Sequence, residues 1–273
     1  MQQLFKSRPT DIFLASIPKS DTTWLKAMIF ATLTCINNSL DQHPLNTHNP
    51  HQCVPYMEVE FAKGRNQILE VIPSPRVMNT HLPYSLSPNS IKESSCRIVY
   101  VWRDPKDVLV SMWFFAQKIL GGADKMVTFD QFYEFFYQGL NSYGPTSNYV
   151  LGYWEESKRR PEKILFLKYK HILQEPVKYA KQLAHFMGCP YSETEENQNV
   201  VEQIVELCSF KILKDFDVNK YGKHMTRIDI NFRNAYFFRK GEIRDWKNHM
   251  TQEMAEWLDN ITKEKFKGSG LEI

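Results

Sequence analysis

A lysine and several hydroxyl side chains stand together near the start of the chain, in a sequence that could bind an anion. The polar residues of this stretch are Lys19, Ser20, Asp21, Thr22 and Thr23. The apolar run at residues 11–16 predicts a short buried strand, and residues 22–36 carry apolar side chains at helical spacing. Free backbone N–H groups and the positive dipole at the start of such a helix attract phosphate or sulfate. Asp21 opposes this prediction, because its carboxylate places a negative charge inside the proposed anion site.

Three more polar residues directly follow predicted strands. The strands are the runs at residues 76–80, 97–102 and 163–168, and the residues that follow them are His81, Arg103 and Tyr169. The run at 97–102, rich in β-branched and aromatic residues, is the clearest strand in the chain. Taken singly, His81 is typical of a half-exposed loop histidine and Arg103 of a surface ion pair.

A helix is predicted after Arg103. Asp104 is a good N-cap, Pro105 suits the first helical position, and Gly121 stands just past the expected end near Leu120. Ser111 lies about two turns inside this helix, and taken singly it is a neutral helix position.

The order of the predicted elements indicates how these residues come together. Strands alternate with helices, which is typical of a parallel sheet covered by helices on both faces. In such sheets ligands bind beyond the carboxyl ends of the strands. Lys19, His81, Arg103 and Tyr169 each follow a predicted strand, so we expect them to meet at one edge of the sheet.

A second basic stretch lies near the C-terminus. Arg239 and Lys240 stand next to Gly241, and a mixed charged run follows. The stretch is either a solvated basic loop or a second phosphate site, in which Gly241 lets the backbone approach an anion closely. Residues 211–236, just before it, have poor periodicity and predict a long loop.

Composition bounds the class of protein. A chain of 273 residues with no evident linker predicts one domain over residues 1–273, with residues 1–10 as a short lead. The net charge of +3 is too small to indicate nucleic acid or an acidic membrane surface as a partner. No signal peptide or membrane-spanning run is visible, so a cytosolic location is expected. The cysteines are widely spaced and indicate reduced thiols: Cys35, Cys53, Cys96, Cys189 and Cys208.

The segment between residues 37 and 55 is rich in histidine, which raises the possibility of a metal site. It holds His43, His48, His51 and Cys53. Their spacing is not that of a zinc site, and the asparagine and proline content favours a loop.

Five ordered motifs resemble the soluble, cytosolic sulfotransferases, and most closely the plant members of flavonol and steroid type. They read IPKSDTTWLKA, THLPYSLSP, YVWRDPKDVLVSMWFF, LKYKHI and FFRKGEIRDWKN. The resemblance covers residues 11 to about 259. It implies a single α/β domain with a central parallel sheet and a fold like that of the P-loop NTPases. A P-loop kinase is the nearest rival, but the GxxxxGK[ST] pattern is absent from this sequence.

The resemblance also implies an activity and a set of roles. Such enzymes transfer a sulfuryl group from 3′-phosphoadenylyl sulfate (PAPS) to a small hydroxylated acceptor, and no metal is implied. His81 would be the general base, and Lys19 would stabilise the departing phosphate. The 5′-phosphate site would comprise Lys19, Ser20, Asp21, Thr22 and Thr23. The adenine would lie among Trp24, Tyr169 and Phe210. The 3′-phosphate site would comprise Arg103, Ser111, Arg239, Lys240 and Gly241.

Some residues depart from the family pattern. Asp21 and Arg244 stand where the resemblance implies glycine. The turn at Asp21 is expected to need a left-handed backbone, which glycine adopts freely and aspartate less readily. A carboxylate about 4 Å from a phosphosulfate would be repelled by roughly 4 kcal/mol, unless Asp21 turns outward and pairs with a lysine. Arg244 would tighten nucleotide binding, offset Asp21 or distort the loop. The lead before the first strand is short for the family. Gln252 replaces the valine of the family's dimer motif, so the sequence does not decide whether the chain forms a homodimer.

These departures leave two functions in view. The first is a PAPS-dependent sulfotransferase, and the alternative is an impaired family member that binds a nucleotide or a small ligand without turnover.

Overall fold

The centre of the structure is a parallel sheet of four strands. The computed structural model describes residues 1–34, 42–121, 127–140, 144, 146–225 and 231–272. The strands are β1 (Ile12–Ser16), β2 (Val77–Thr80), β3 (Arg97–Trp102) and β4 (Ile164–Lys168). They lie in the order β2-β1-β3-β4, and every neighbouring pair is parallel. The predicted parallel sheet is therefore confirmed.

Helices connect the strands and pack on the sheet. Those before β3 are α1 (Thr22–Thr34), α2 (Pro50–Cys53), α3 (Met57–Ala62), α4 (Gln67–Val71) and α5 (Asn89–Glu93). Those between β3 and residue 190 are α6 (Pro105–Leu120), α7 (Phe129–Tyr137), α8 (Thr146–Arg159), α9 (Tyr169–Gln174) and α10 (Pro176–Met187). The rest are α11 (Glu193–Asn197), α12 (Val200–Leu207), α13 (Phe210–Asp215), α14 (Asp217–Tyr221) and α15 (Gln252–Phe266). Short 3₁₀ helices lie at Pro44–Asn46, Tyr84–Leu86, Asn234–Phe237 and Asp245–Asn248.

The sheet separates two apolar cores, because successive side chains of a strand point to opposite faces. In β1, Phe13 belongs to the core that receives α6, α8 and α15, and Leu14 belongs to the core that receives α1, α10 and α12. Both side chains are at most 1% exposed. The chain is a single α/β domain with helices on both faces of its sheet, as predicted.

The carboxyl ends of the strands carry the predicted polar residues to one edge of the sheet. α1 begins six residues after Ser16, and α6 begins three residues after Trp102 with the Asp104 carboxylate accepting from the Lys106 N–H. α6 ends where predicted, because Gly121 adopts a left-handed φ of +86°.

Residues 211–236, predicted as a long loop, contain regular structure instead. α13 and α14 occupy much of it, and β5 (Lys223–Met225) pairs antiparallel with β6 (Asn231–Arg233). Each element is only a turn or a few residues long, so none shows the periodicity that identifies longer elements. Residues 226–230 lie outside the described ranges.

Other bounds differ less. The segment predicted as a loop over residues 37–55 includes α2, whose N-cap Asn49 forms a capping box with Gln52. The helix predicted over residues 128–143 ends at Tyr137. The end of the first predicted helix, residues 35–36, lies outside the described ranges. Among the described residues, none of the helices is both long and apolar enough to span a bilayer.

Candidate active site

A cavity of about 1360 Å³ opens at the carboxyl edge of the sheet. It gathers almost every site residue that the sequence predicts. The predicted residues that line it are Lys19, Asp21, Thr22, Thr23, Trp24, His81, Arg103, Ser111, Tyr169, Phe210, Arg239, Lys240 and Gly241. Ser20 is not among the lining residues, and it is only 2% exposed.

The loop between β1 and α1 is a tight turn with two left-handed residues. Lys19 has a φ of +68° and Asp21 a φ of +63°. The left-handed backbone expected at position 21 is therefore confirmed. The Asp21 carbonyl accepts the N–H of Leu25 at 3.2 Å, which fixes the backbone of Asp21 at the start of α1. The Thr22 and Ser16 hydroxyls lie 2.7 Å apart and join the loop to the end of β1.

Lys19 extends into the cavity against aromatic rings. Its Nζ lies 4.0 Å from the centroid of the Phe115 ring and 5.6 Å from that of Phe237. Burial lowers the pKa of Lys19 to about 7, against the attraction of Asp21. An anion bound beside this ammonium would favour its charged form.

Asp21 faces into the site and pairs with Arg103. The Asp21 Oδ2 lies 2.6 Å from the Arg103 Nη1. The alternative that Asp21 turns outward and pairs with a lysine is therefore wrong, because the left-handed turn directs the carboxylate towards the end of β3. Burial raises the pKa of the Asp21 carboxyl, although Arg103, Lys19 and a hydrogen bond from Tyr169 oppose the shift.

His81 lies at the end of β2, and hydrogen bonds fix its orientation. Its Nδ1 is 2.6 Å from the carbonyl oxygen of Ser16, and its backbone N–H donates to the Glu58 Oε1 at 2.9 Å. A carbonyl oxygen can only accept, so Nδ1 carries the hydrogen and Nε2 is the basic nitrogen. Burial lowers the pKa of His81 to about 3, which keeps the imidazole neutral.

Three titratable residues that sequence reasoning did not select as functional lie in or beside the cavity. Glu58 accepts from the Thr80 hydroxyl, while its buried Oε2 has no partner among the described residues. The Lys26 Nζ lies 3.1 Å from the His51 Nδ1, and the His51 Nε2 lies 3.0 Å from the Thr23 hydroxyl. Glu58 and His51 both line the cavity. Burial raises the pKa of Glu58 to about 7 and lowers that of Lys26 to about 7.

No spacing in the sequence marked these residues. Lys26 stands among apolar neighbours in α1, and His51 lies in a segment whose composition favours a loop.

The second basic stretch also lines the cavity. Arg239 and Lys240 both bind the carboxylate of Asp245, which is 3% exposed. Burial alone would raise the pKa of Asp245, but hydrogen bonds from Lys240, Asn248 and Arg239 hold it below its usual range. Gly241 has a φ of +71°, and a Cβ there would lie 2.6 Å from the Phe210 ring. Gly241 and Phe210 are therefore packed directly against each other.

The other predicted residues surround these groups. Trp24 and Tyr169 meet edge to face with ring centroids 6.3 Å apart, and the Arg103 guanidinium lies 5.1 Å from the Tyr169 ring centroid. Ser111 is 8% exposed.

Arg244 has a left-handed φ of +65°, and its side chain is exposed and is not among those that line the cavity. Its backbone N–H donates to the Asp107 Oδ2 at 2.8 Å.

Within the described parts of the chain, no three His, Cys, Asp or Glu side chains form a group that could hold a metal ion. His43 instead lies 2.8 Å from the Thr34 hydroxyl through its Nε2, and His51 is engaged with Thr23 and Lys26.

Comparisons with known proteins agree with this geometry. The family model described as the sulfotransferase domain matches residues 9–270. Cytosolic sulfotransferase 17 of Arabidopsis thaliana is 42% identical over 269 residues, which are 98% of this chain and 78% of that protein. Flavonol 3-sulfotransferase of Flaveria bidentis is 40% identical over 270 residues, or 99% of this chain and 86% of that protein.

Solved structures show the same likeness. A putative steroid sulphotransferase of Arabidopsis thaliana superposes with a TM-score of 0.74 at 33% identity, covering 100% of this chain and 81% of that one. A mouse sulfotransferase complexed with PAP superposes with a TM-score of 0.75 at 27% identity, covering 98% of this chain and 87% of that one.

Proposed function

This chain belongs to the sulfotransferase family, and we propose that it moves a sulfuryl group from PAPS to a hydroxyl group of a small acceptor, with His81 as the general base. The observation that carries the proposal is that Lys19 and His81 line one cavity together with Arg103, Arg239 and Lys240. The cavity thus offers cations for phosphates and a neutral imidazole for the acceptor.

The residues present fit an anionic nucleotide. The Nε atoms of Arg103 and Arg239 are buried and have no hydrogen-bond partner among the described residues. A buried donor without a partner is destabilising, so both are suited to receive phosphate oxygens. Trp24, Tyr169 and Phe210 would hold the adenine among them, and the start of α1 would hold the 5′-phosphate through Thr22 and Thr23.

The proposed transfer step uses two side chains, those of His81 and Lys19. The acceptor hydroxyl gives its proton to the His81 Nε2 while its oxygen forms a bond to sulfur. The bond between sulfur and the 5′-phosphate oxygen breaks, and adenosine 3′,5′-bisphosphate leaves. Lys19 stabilises the negative charge that develops on that oxygen, the kind of contribution that is worth about 10²–10³ in rate. Because the His81 Nδ1–H is held by Ser16, Nε2 is fixed as the proton acceptor.

The acceptor and the location are proposed by likeness. A relative is named a flavonol 3-sulfotransferase and another a cytosolic sulfotransferase, so we propose a hydroxylated flavonoid, steroid or similar molecule in the cytosol. The apolar residues Val59, Leu82 and Leu86, which line the cavity on the side of His81, suit such an acceptor.

Transfer from radiolabelled PAPS tests the proposal across flavonoid, steroid and jasmonate-like acceptors. The wild type should label at least one acceptor, and His81→Asn should lower the rate by at least about 10²-fold, as expected for loss of a general base. If the folded wild type labels nothing while Asp21→Gly transfers, the proposal is wrong for the natural sequence.

A second candidate is nucleotide binding without turnover, and the ion pair between Asp21 and Arg103 favours it. Calorimetry with adenosine 3′,5′-bisphosphate separates the two functions. Tight binding together with an absence of transfer supports the second candidate, and turnover at an ordinary enzymatic rate rejects it.

A further inference from the structure

The carboxylate of Asp21 occupies a place among the cations of the nucleotide site. It contacts the Arg103 Nη1 at 2.6 Å, and it lies close enough to Lys19 and Arg239 for both to attract it. Asp21, Arg103 and Arg239 all line the cavity. The protein thus places an anion of its own where the proposed function places a phosphate.

The ion pair and two backbone carbonyls engage both terminal nitrogens of Arg103, so only its Nε is left to receive a second anion. Its Nη1 also donates to the Lys19 carbonyl at 3.2 Å, and its Nη2 donates to the Glu242 carbonyl at 2.8 Å. The Arg103 side chain is only 6% exposed, so its neighbours hold it in place. The backbone of Asp21 is held as well, through the hydrogen bond of its carbonyl with the Leu25 N–H. A phosphate that binds the Arg103 Nε therefore shares the guanidinium with the Asp21 carboxylate and is repelled by it.

A hydroxyl group has the opposite relation to this carboxylate. It is a donor that a carboxylate accepts, whereas a phosphate is repelled. Dinucleotide-binding proteins show the same chemistry, since an acidic residue there binds a ribose hydroxyl and an arginine accommodates a phosphate at that position. In this chain the arginine is already paired with the acidic residue.

We propose that Asp21 sets the nucleotide selectivity of this site by disfavouring a 3′-phosphate, so that an adenosine nucleotide with a free 3′-hydroxyl binds about as tightly as the 3′,5′-bisphosphate. The inference rests on the proposed function, in which the 3′ end of the nucleotide lies at Arg103. It identifies Asp21 as a specificity residue for the nucleotide.

Calorimetry with two nucleotides tests the selectivity. Adenosine 5′-phosphate and adenosine 3′,5′-bisphosphate are titrated separately into the wild type, Asp21→Gly and Asp21→Asn at pH 7.5. The affinities for the wild type should differ by less than about tenfold. In Asp21→Gly the bisphosphate should bind at least about 100-fold more tightly than the monophosphate, because Arg103 is released. Asp21→Asn should move the ratio in the same direction, since asparagine tolerates the left-handed backbone but carries no charge.

Arg244→Gly is the matched control. It also replaces a left-handed residue by glycine, but the Arg244 side chain does not line the cavity, so its nucleotide ratio should equal that of the wild type. A wild type that prefers the bisphosphate by 100-fold or more, a ratio that neither Asp21 variant changes, or a failure of every variant to bind either nucleotide overturns the inference. The titrations contain no acceptor, so an absence of sulfuryl transfer with the expected ratios contradicts the proposed function alone.

Discussion

Two loops of this protein meet the same backbone requirement and use it differently. The first loop, residues 17–22, holds Asp21 in the left-handed region, and the C-terminal loop, residues 238–245, holds Arg244 there. Asp21 directs its carboxylate into the cavity and binds Arg103. Arg244 directs its side chain to solvent and contributes through its backbone, whose N–H donates to Asp107 and whose carbonyl accepts from the Lys247 N–H.

The difference shows that a left-handed residue matters to function only where its side chain meets the site. A non-glycine residue in this region costs roughly 1–2 kcal/mol, and aspartate or asparagine tolerates the conformation better than other residues. At Arg244 that cost is the whole effect, because the side chain faces solvent. At Asp21 the charge also changes what the site can bind.

The largest expected effect is on the rate of sulfuryl transfer, to which a lysine of the first loop should contribute and a lysine beside the C-terminal loop should not. Lys19→Met in the first loop should lower the rate of transfer from PAPS at saturating substrate by about 10²–10³-fold, because it removes the cation at the leaving oxygen. Lys247→Met, just beyond the C-terminal loop, removes an exposed lysine that does not line the cavity and should change the rate less than twofold.

Rates are measured with labelled PAPS after circular dichroism has confirmed that both variants fold. Similar losses in the two lysine variants would contradict the assignment of Lys19 to the reaction.

Gly241 and Arg244 provide a second contrast, now within the C-terminal loop. A Cβ at Gly241 would lie 2.6 Å from the Phe210 ring at a left-handed φ of +71°. Gly241→Ala should therefore lower the free energy of unfolding by about 3 kcal/mol, from backbone strain and displacement of the ring together. Arg244→Ala should change it by less than about 0.5 kcal/mol, as for an ordinary surface substitution.

Urea denaturation measures the free energy of unfolding of both alanine variants, and its dependence on urea concentration (the m-value) should be the same in both. An equal loss of stability would mean that the packing of Phe210 on Gly241 has no energetic weight.

Sequence patterns predicted the elements that local chemistry determines. β3 (Arg97–Trp102) was predicted with its observed bounds, because β-branched and aromatic residues identify a buried strand. α6 was predicted with its N-cap Asp104 and its terminal Gly121, because capping uses neighbouring residues. The convergence of Lys19, His81 and Arg103 followed from the parallel topology alone.

Features that depend on tertiary contacts were not predicted. The partner of Asp21 is Arg103, 82 residues away in the sequence. Lys26 meets His51 across 25 residues and lies on the buried face of its helix, where only the fold could bring a histidine to it. The short elements within residues 211–236 are stabilised by hydrogen bonds such as that from the Asn234 side chain to the Val218 carbonyl.

The carboxylates of the two loops should respond to pH with opposite signs. The folded-state pKa of Asp21 is raised by burial, so ionising Asp21 destabilises the fold as pH rises through that pKa. The pKa of Asp245 is lowered by Lys240, Asn248 and Arg239 despite its burial, so its stabilisation is complete above pH about 4 and is lost on acidification. Asp21→Asn should therefore gain stability relative to the wild type as pH rises from 4 to 8. Asp245→Asn should be less stable by about 2 kcal/mol at pH 7, and this difference should shrink below pH 4.

Urea titrations of the wild type and both asparagine variants from pH 3 to 8 measure these slopes. Parallel curves for Asp21→Asn and the wild type would show that Asp21 has an ordinary pKa.

The smallest expected effect tests the shared backbone requirement itself. Arg244→Gly should raise the free energy of unfolding by about 0.5 kcal/mol, since relief of the left-handed strain outweighs the larger entropy of glycine in the unfolded chain. Arg244→Ala keeps the strain and is the reference for loss of the side chain. Asp21→Gly relieves a smaller strain, because aspartate tolerates this backbone better than arginine, and it also removes the buried partner of Arg103, so it should show no such gain. Thermal and urea unfolding of the three variants measure the differences. If Arg244→Gly were no more stable than Arg244→Ala, strain at position 244 would be negligible. The two loops would then share a left-handed backbone that does not affect the free energy of unfolding at position 244.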